Sequence, residues 1–295
     1  MCRQRCRLPP EFSCVVGAAV MTAPSDTPTY LHGFSSTEQA RLLKQARLLE
    51  ATLFNQIDYS GARRLLEVGS GVGAQTEILL RRFPDLHVTS VDLSEAQLGA
   101  ARANLERLAW CRERYTLQQA DASDLPFEAR QFDAAFLCWV LEHVPSPARV
   151  LNEVRRVLLP GSPVYVTEVM NASFLLHPYS PNLWRYWMAF NDFQHDQGGD
   201  PFVGAKLGNL LLAGGFRDVH TEIKTLHLDN REPGRRKTMI GFWEEVLLSA
   251  ADQLREAGAV NADTVDGMRR ELAQVHSDPN AVFFYSFVQA RATVY

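Results

Sequence analysis

The nine residues Leu65-Leu66-Glu67-Val68-Gly69-Ser70-Gly71-Val72-Gly73 run an apolar, strand-like segment into a glycine-rich turn. Residues of helical spacing follow it. Glycines let a backbone approach a ligand without a Cβ clash, and a helix starting there offers unpaired N–H groups to negative charge. Nineteen residues after Gly73, Asp92 ends the next strand-like segment, where a carboxylate is placed to accept hydrogen bonds from ribose hydroxyls. A nicotinamide dinucleotide site shares this strand–turn–helix–strand–acid layout, so both chemistries stay open here.

Other segments carry further candidates. Ala120-Asp121-Ala122 closes a third strand and is followed by Asp124-Leu125-Pro126-Phe127. Phe132-Asp133 opens a fourth, which runs into Leu137-Cys138-Trp139-Val140-Leu141-Glu142-His143. His32, His143, His177 and His195 titrate in the range a general base needs. Between Phe174 and Phe193 stand seven aromatic rings, among them Trp184, Tyr186, Trp187 and Phe190. Such density can form a cage around a ring or a cationic amine. It also fits a buried helix, because Trp184, Trp187 and Phe190 share a face.

The positioning elements follow from hydrophobic period. Ser36, with Gln39 three residues on, caps a helix carrying Leu42, Leu43, Ala46, Leu49 and Leu53. Strand-like segments at 63–68, 87–92, 115–120, 132–140 and 163–169 alternate with helices at 74–82, 94–109 and 148–158. That alternation reads as parallel βαβ units with a sheet covered on both faces. Beyond it lie an irregular aromatic stretch, a helix at 204–213, a strand at 216–228, helices at 238–257 and 262–276, and a final strand at 281–294.

The organisation expected is a leader over 1–28 with a natural start at Met21, an N-terminal lid helix over 29–60 and a core over 61–169. An aromatic substrate and lid insertion follows over 170–202, then a core helix and strand over 203–228. A helical insertion over 229–279 and a closing strand over 280–295 complete it.

Composition narrows the class. With 30 Lys and Arg against 34 Asp and Glu, the net charge of -4 gives little electrostatic support for a nucleic-acid partner. The basic run Arg231, Arg235, Arg236, Lys237 is expected to be a solvated turn. No apolar run approaches the ~20 residues of a membrane span. Five cysteines without repeated short spacing predict free thiols in a reducing cytoplasm and no metal site.

Taken together with the Pro160-Gly161 turn, the G-x-G-x-G turn behind Glu67 and the motifs at Asp92, Asp121-Ala122, Phe132-Asp133 and Cys138–His143 resemble class I S-adenosylmethionine-dependent methyltransferases over residues 60–170. The resemblance implies a doubly wound, Rossmann-like α/β fold with a seven-stranded, mostly parallel sheet and a helical lid. It implies S-adenosylmethionine as cofactor, with Gly69, Ser70, Gly71 and Gly73 lining its methionine portion. Asp92 would hold the ribose, Leu93 would pack on the adenine, and Gln97 would stand beside them. Asp121 would accept from the adenine amino group, with the Ala122 amide on the ring and Cys138 or Trp139 facing the substrate mouth. Glu67 would orient the turn and reach the cofactor's amino group through water.

The segment Tyr30-Leu31-His32-Gly33-Phe34-Ser35 with Arg41, Gln45 and Ala46 resembles a subgroup in which Tyr30 and Gln45 close over the methionine carboxylate and sulfonium. The Asn/Asp-Pro-Pro-aromatic motif of nucleic-acid amino-methyltransferases is replaced here by Cys138-Trp139-Val140-Leu141. The implied function is methyl transfer to a small-molecule acceptor, N or O before C, by a cytoplasmic monomer or homodimer. A protein methyltransferase, a nicotinamide oxidoreductase and a non-catalytic cofactor-binding protein are the alternatives. The oxidoreductase lacks a Tyr-x-x-x-Lys pair and leaves Asp121-Ala122 unexplained.

Overall fold

The computed structural model describes residues 31–295, so the leader expected over 1–28 and the role expected of Tyr30 lie outside the described residues. Helix α1 (Ser36–Leu53) is capped by Ser35, whose Oγ accepts from the Glu38 amide at 3.1 Å. The cap is thus one residue earlier than expected, because Ser35 rather than Ser36 has its capping-box glutamate three residues on. The core then alternates as the hydrophobic period predicts. Its elements are β1 (Arg64–Val68), α2 (Ala74–Arg82), β2 (His87–Asp92), α3 (Glu95–Leu105), β3 (Tyr115–Gln119), β4 (Ala134–Cys138), α4 (Pro147–Val157) and β5 (Pro163–Val169). β1 pairs in parallel with β2 and β4, β2 with β3, and β4 with β5.

Later elements are β6 (Leu175–His177), α5 (Pro181–Asp196), α6 (Leu207–Ala213), β7 (Arg217–Leu228), α7 (Pro233–Ser249), α8 (Ala251–Glu256), α9 (Ala262–Ser277) and β8 (Val282–Thr293). β8 is antiparallel to three strands: β5 opposite Phe287–Thr293, β6 opposite Val282–Phe284, and β7 along almost its whole length. β5 and β6 therefore share one edge of β8 while β7 takes the other. The sheet has the expected seven positions, and the three-residue β6 is an eighth strand in line with β5. Period-two alternation supplies a core on each face. Leu65 enters one apolar layer with α1 and the later helices, while Leu66 and Val68 enter the other with α4 and α6.

The stretch at 170–202 is more regular than expected, since α5 occupies half of it. Its buried face carries Leu183, Tyr186, Trp187, Phe190, Asn191 and Gln194. Phe174 stacks on Trp243 of α7 at 4.4 Å between ring centres, and Trp187 stacks on Phe190 at 5.1 Å. The 229–279 insertion is thereby welded to the 170–202 insertion by aromatic packing. The basic run is not a solvated turn throughout. Arg231 and Arg235 pair with Asp229 and Glu232, but Arg236 is buried and donates to Asn230 Oδ1 and to the carbonyls of Asp278, Pro279 and Ala281. Among the described residues no helix is long and apolar enough to cross a membrane.

Candidate functional site

A cavity of about 570 Å³ opens at the C-terminal ends of β1, β2 and β4, where ligands of open α/β sheets bind. Its floor is the glycine turn. Gly69, Gly71 and Gly73 all have positive φ, between 52° and 74°. Gly69 has no room for more, since a Cβ there would stand 2.4 Å from Val140 Cγ2. The turn is pinned to β2 by Gly69 and Ser70 N–H groups that donate to the Val91 carbonyl at 2.8 and 3.0 Å.

Two carboxylates fix the turn from either side. Asp92 Oδ2 accepts from the Gly71 amide at 2.7 Å and Oδ1 from the Ser94 amide at 2.9 Å. Burial raises the Asp92 carboxyl above its ordinary range, against the pull of those N–H groups. Glu67, behind the turn, accepts from Thr76 Oγ1 at 2.5 Å and Ser90 Oγ at 2.7 Å. Its burial pushes the carboxyl up to about 7, with the two hydroxyls opposing.

The wall beyond β4 turns sharply at Trp139, which holds φ at +57° and donates its N–H to the Thr167 carbonyl at 2.8 Å. Such backbone strain recurs where a structure is built around a ligand. Glu168, at the end of β5, organises the next turn by accepting from the amides of Val140, Leu141 and Glu142 at 3.0, 2.8 and 3.3 Å. Burial, reinforced by the charge of Glu142, raises the Glu168 carboxyl to about 8.

The N-terminal arm and α1 close the cavity from above. Arg41 clamps Glu38 through Nε and Nη2 at 2.7 and 2.6 Å, and its Nη1 donates to Gln45 Oε1 at 2.8 Å. That bond fixes the amide of Gln45 with its nitrogen turned away from Arg41. His32 sits at the base of the arm with Nδ1 2.6 Å from Ser249 Oγ. The Ser249 hydroxyl donates to the Val246 carbonyl, which assigns the imidazole proton to Nδ1. Burial, then the charges of Arg41 and His143, hold His32 well below its ordinary pKa, so it is neutral at pH 7.

Most cofactor residues expected from the sequence meet here. Gly69, Ser70 and Gly71 line the cavity, as do Asp92, Leu93 and Gln97 at one end and Asp121 and Ala122 beside them. Cys138 and Trp139 line the β4 side and Gln45 the roof. Gly73 and Glu67 do not reach the wall. Gly73 packs on Ala101 and Leu105, and Glu67 acts from beneath.

The histidine and aromatic expectations need correction. His143 lines the cavity, with Nε2 3.5 Å from Glu142 Oε1. His32, His177 and His195 do not line it, and the last two are exposed, on β6 and on the final turn of α5. None of Trp184, Tyr186, Trp187 and Phe190 touches the cavity. Trp187 donates Nε1–H to the Asn171 carbonyl at 3.0 Å and Tyr186 donates its hydroxyl to the Leu247 carbonyl, both inside the core. Trp184 is 40% exposed on the outer side of α5. Phe193, one turn past Phe190, is the ring of that group that lines the wall.

Sequence reasoning missed Gln75, Glu142 and Gln194. Each is a polar residue on an otherwise buried face, which is the signal available in the sequence. Their geometry tests the fit to a ligand. Among the described residues, Ser70 Oγ, Gln75 Oε1 and Gln194 Oε1 are buried without a hydrogen-bond partner, and all three residues line this cavity. An unpaired buried polar atom costs about 1–3 kcal/mol, so such a cluster marks a wall built to meet a polar ligand.

Residues 66–166 match the family model described as "Methyltransferase domain". Residues 66–166 thus form a methyltransferase domain. The chain is 33% identical over 158 residues to the O-methyltransferase cnsE of Penicillium expansum, covering 52% of each chain. It is 27% identical over 194 residues to the malonyl-[acyl-carrier protein] O-methyltransferase of Legionella pneumophila, covering 64% of each. The match thus spans between half and two thirds of these curated relatives. In fold, the chain resembles phosphoethanolamine N-methyltransferase 2 of Haemonchus contortus, with a TM-score of 0.55 and 18% identity, over 88% of this chain and 58% of that one.

Proposed function

We propose that this protein transfers the methyl group of S-adenosylmethionine to a small-molecule acceptor, on nitrogen or oxygen before carbon, by in-line displacement. The observation that carries the reading is the convergence of three unpartnered buried polar atoms on one cavity above a positive-φ glycine turn. When bound, the cofactor supplies a methyl carbon already activated by a sulfonium. The protein's task is then to align the acceptor, exclude water and, for a protonated nucleophile, remove its proton.

The residues divide that task. Asp92 has spent one lone pair of each oxygen on a backbone N–H and keeps the others for the ribose hydroxyls. Gln45, held by Arg41, would offer its amide N–H groups to the cofactor's carboxylate. Leu31, Phe34, Leu42 and Phe193 make the apolar wall that excludes water. His143 is the favoured base of the four histidines because it alone lines the cavity, with Glu142 Oε1 3.5 Å from its Nε2. We further take it to be a cytoplasmic enzyme acting as a monomer or homodimer, and the unbridged thiols of Cys111 and Cys138 fit a reducing compartment.

Calorimetric titration with S-adenosylmethionine and S-adenosylhomocysteine, with NADH as control, tests the reading. Binding of both adenosyl ligands and not NADH is expected, followed by methyl-label transfer to a small-molecule pool. Binding of NADH alone, or of no adenosyl ligand, overturns it.

A further inference from the structure

We propose that Gln194 reads a hydrogen-bond donor on the methyl acceptor: its side-chain oxygen takes a hydrogen from an O–H or N–H group, so the site selects acceptors that carry such a group beside an apolar body over analogues in which it is capped. The proposal rests on the methyl-transfer reading above and adds to it the residue that tells one acceptor from another.

Gln194 stands in the last turns of α5, is buried, and lines the cavity. Its amide is held in one sense. Nε2 donates to Glu142 Oε2 at 3.0 Å and to the Glu142 carbonyl oxygen at 3.3 Å, so both of its hydrogens are used. Glu142 is itself committed on both carboxylate oxygens, because Oε1 lies 3.5 Å from His143 Nε2. Turning the Gln194 amide over would set its oxygen against that carboxylate and that carbonyl, so the orientation is fixed. The loop after α5 seals the pair. The Gly199 amide donates to the Gln194 carbonyl at 3.0 Å, and the Asp200 amide donates to the Glu142 carbonyl at 2.9 Å. A Cβ at Gly199 would stand 2.6 Å from the Glu142 carbonyl oxygen and 3.1 Å from Gln194 Cγ. Gln194 Oε1 is then left buried with no hydrogen-bond partner among the described residues.

The chemistry of that oxygen sets what can complete it. An amide oxygen accepts and cannot donate, so a ligand that brings a hydrogen gains a bond that its capped analogue lacks. Charge does not make this choice, since His143 and Arg149 line the cavity together with Glu142, Asp92 and Asp121. The cofactor residues expected from the sequence stand on α1, the glycine turn, the start of α3 and the ends of β2, β3 and β4, and none belongs to α5. Phe193, Gln194, Gln197 and Gly199 are therefore the part of the wall left to the acceptor. Phe193, with Leu31, Phe34 and Leu42, supplies the apolar surface for its body.

A merely structural Gln194 would tie α5 to the turn after β4, and its loss would weaken every ligand of the cavity alike. The probes are 3-phenylpropan-1-ol and 2-naphthol, each compared with its own methyl ether and titrated calorimetrically into the full chain saturated with S-adenosylhomocysteine. In the unaltered protein a hydroxyl compound should bind at least about tenfold more tightly than its ether, because the ether strands the buried acceptor. In Gln194→Met, which keeps the length and loses the oxygen, that preference should fall to within about threefold. In Glu142→Ala the amide is free to turn and offer an N–H to the ether oxygen, so the preference should fall to within about threefold with Gln194 still in place. The second variant carries the comparison if the first does not fold. The inference is overturned by a hydroxyl compound and its ether that bind the unaltered protein equally, which is the result if water serves Oε1. It is also overturned by no probe binding to the saturated protein, or by an unchanged preference in Gln194→Met. Failure of S-adenosylhomocysteine to bind at all removes the methyl-transfer reading first, and this inference with it.

Discussion

Replacing Gly69 by alanine tests the glycine turn at its tightest point. Two costs arise from separate features. The φ of +72° places an L-residue in the left-handed region, at about 1–2 kcal/mol. The new methyl would meet Val140 Cγ2 at 2.4 Å, inside any real contact, and overpacking of this kind costs about 1–3 kcal/mol. A loss of about 2–5 kcal/mol in unfolding free energy is expected by urea titration, together with weakened S-adenosylhomocysteine binding, because relief of the clash must move the turn or the β4 wall. The steric part can be isolated with Val140→Ala, which removes the opposing methyls. The double variant should recover roughly 1–3 kcal/mol relative to additivity, while the φ cost stays. A single Gly69→Ala variant as stable as the parent, or a pair that behaves additively, would refute the reasoning from this contact.

Four further outcomes follow from the same geometry. Glu67, raised by burial to about 7 against 4.5 in the unfolded chain, gives stability that is complete below pH 4.5 and lost as pH rises through 7. Urea unfolding between pH 5 and 8 should therefore decline by about 3 kcal/mol less in Glu67→Gln than in the parent, and parallel curves would contradict the assignment. Arg41→Ala should weaken S-adenosylhomocysteine binding by on the order of 1 kcal/mol by calorimetry, because Gln45 loses its anchor. Arg41→Lys should not restore it, since lysine cannot reproduce the two-pronged grip on Glu38. Trp187→Ala should cost about 3–5 kcal/mol of stability and leave the KM of an acceptor unchanged, and a raised KM without stability loss would return this ring to the substrate site. Asp92→Ala should weaken cofactor binding by about 1–3 kcal/mol, and an unchanged affinity would count against its place at the ribose.

What the sequence disclosed and what it hid differ in kind. The turn at Gly69–Gly73, the acid at Asp92 and the period of the core strands are local signals, and the structure assembles them around one cavity. The aromatic stretch misled because ring density does not say which way a helix faces. Residues 187, 190, 191 and 194 recur at the spacing of a buried face, and the structure packs them inward, so Trp187 and Phe190 serve the core while Phe193 reaches the wall. Glu142, Glu168 and Gln194 meet where the turn after β4, the end of β5 and the last turns of α5 converge. No spacing within any one of those segments encodes the meeting. The long final strand was legible from its β-branched and aromatic content, but its three partners were not, since strand pairing depends on distant chain.

That final strand has a kinetic consequence. β8 pairs with β7 only after the whole of residues 229–281 has been spanned, and with β5 across more than a hundred residues. Contacts of such sequence separation are slow to form, because the loop entropy is lost before the pairing rewards it. Until β8 docks, β5 and β7 present bare edges that can template association with another chain. Refolding yield should therefore fall steeply with protein concentration, and a synthetic peptide of the β8 sequence, added early in refolding, should compete for the open slot between them.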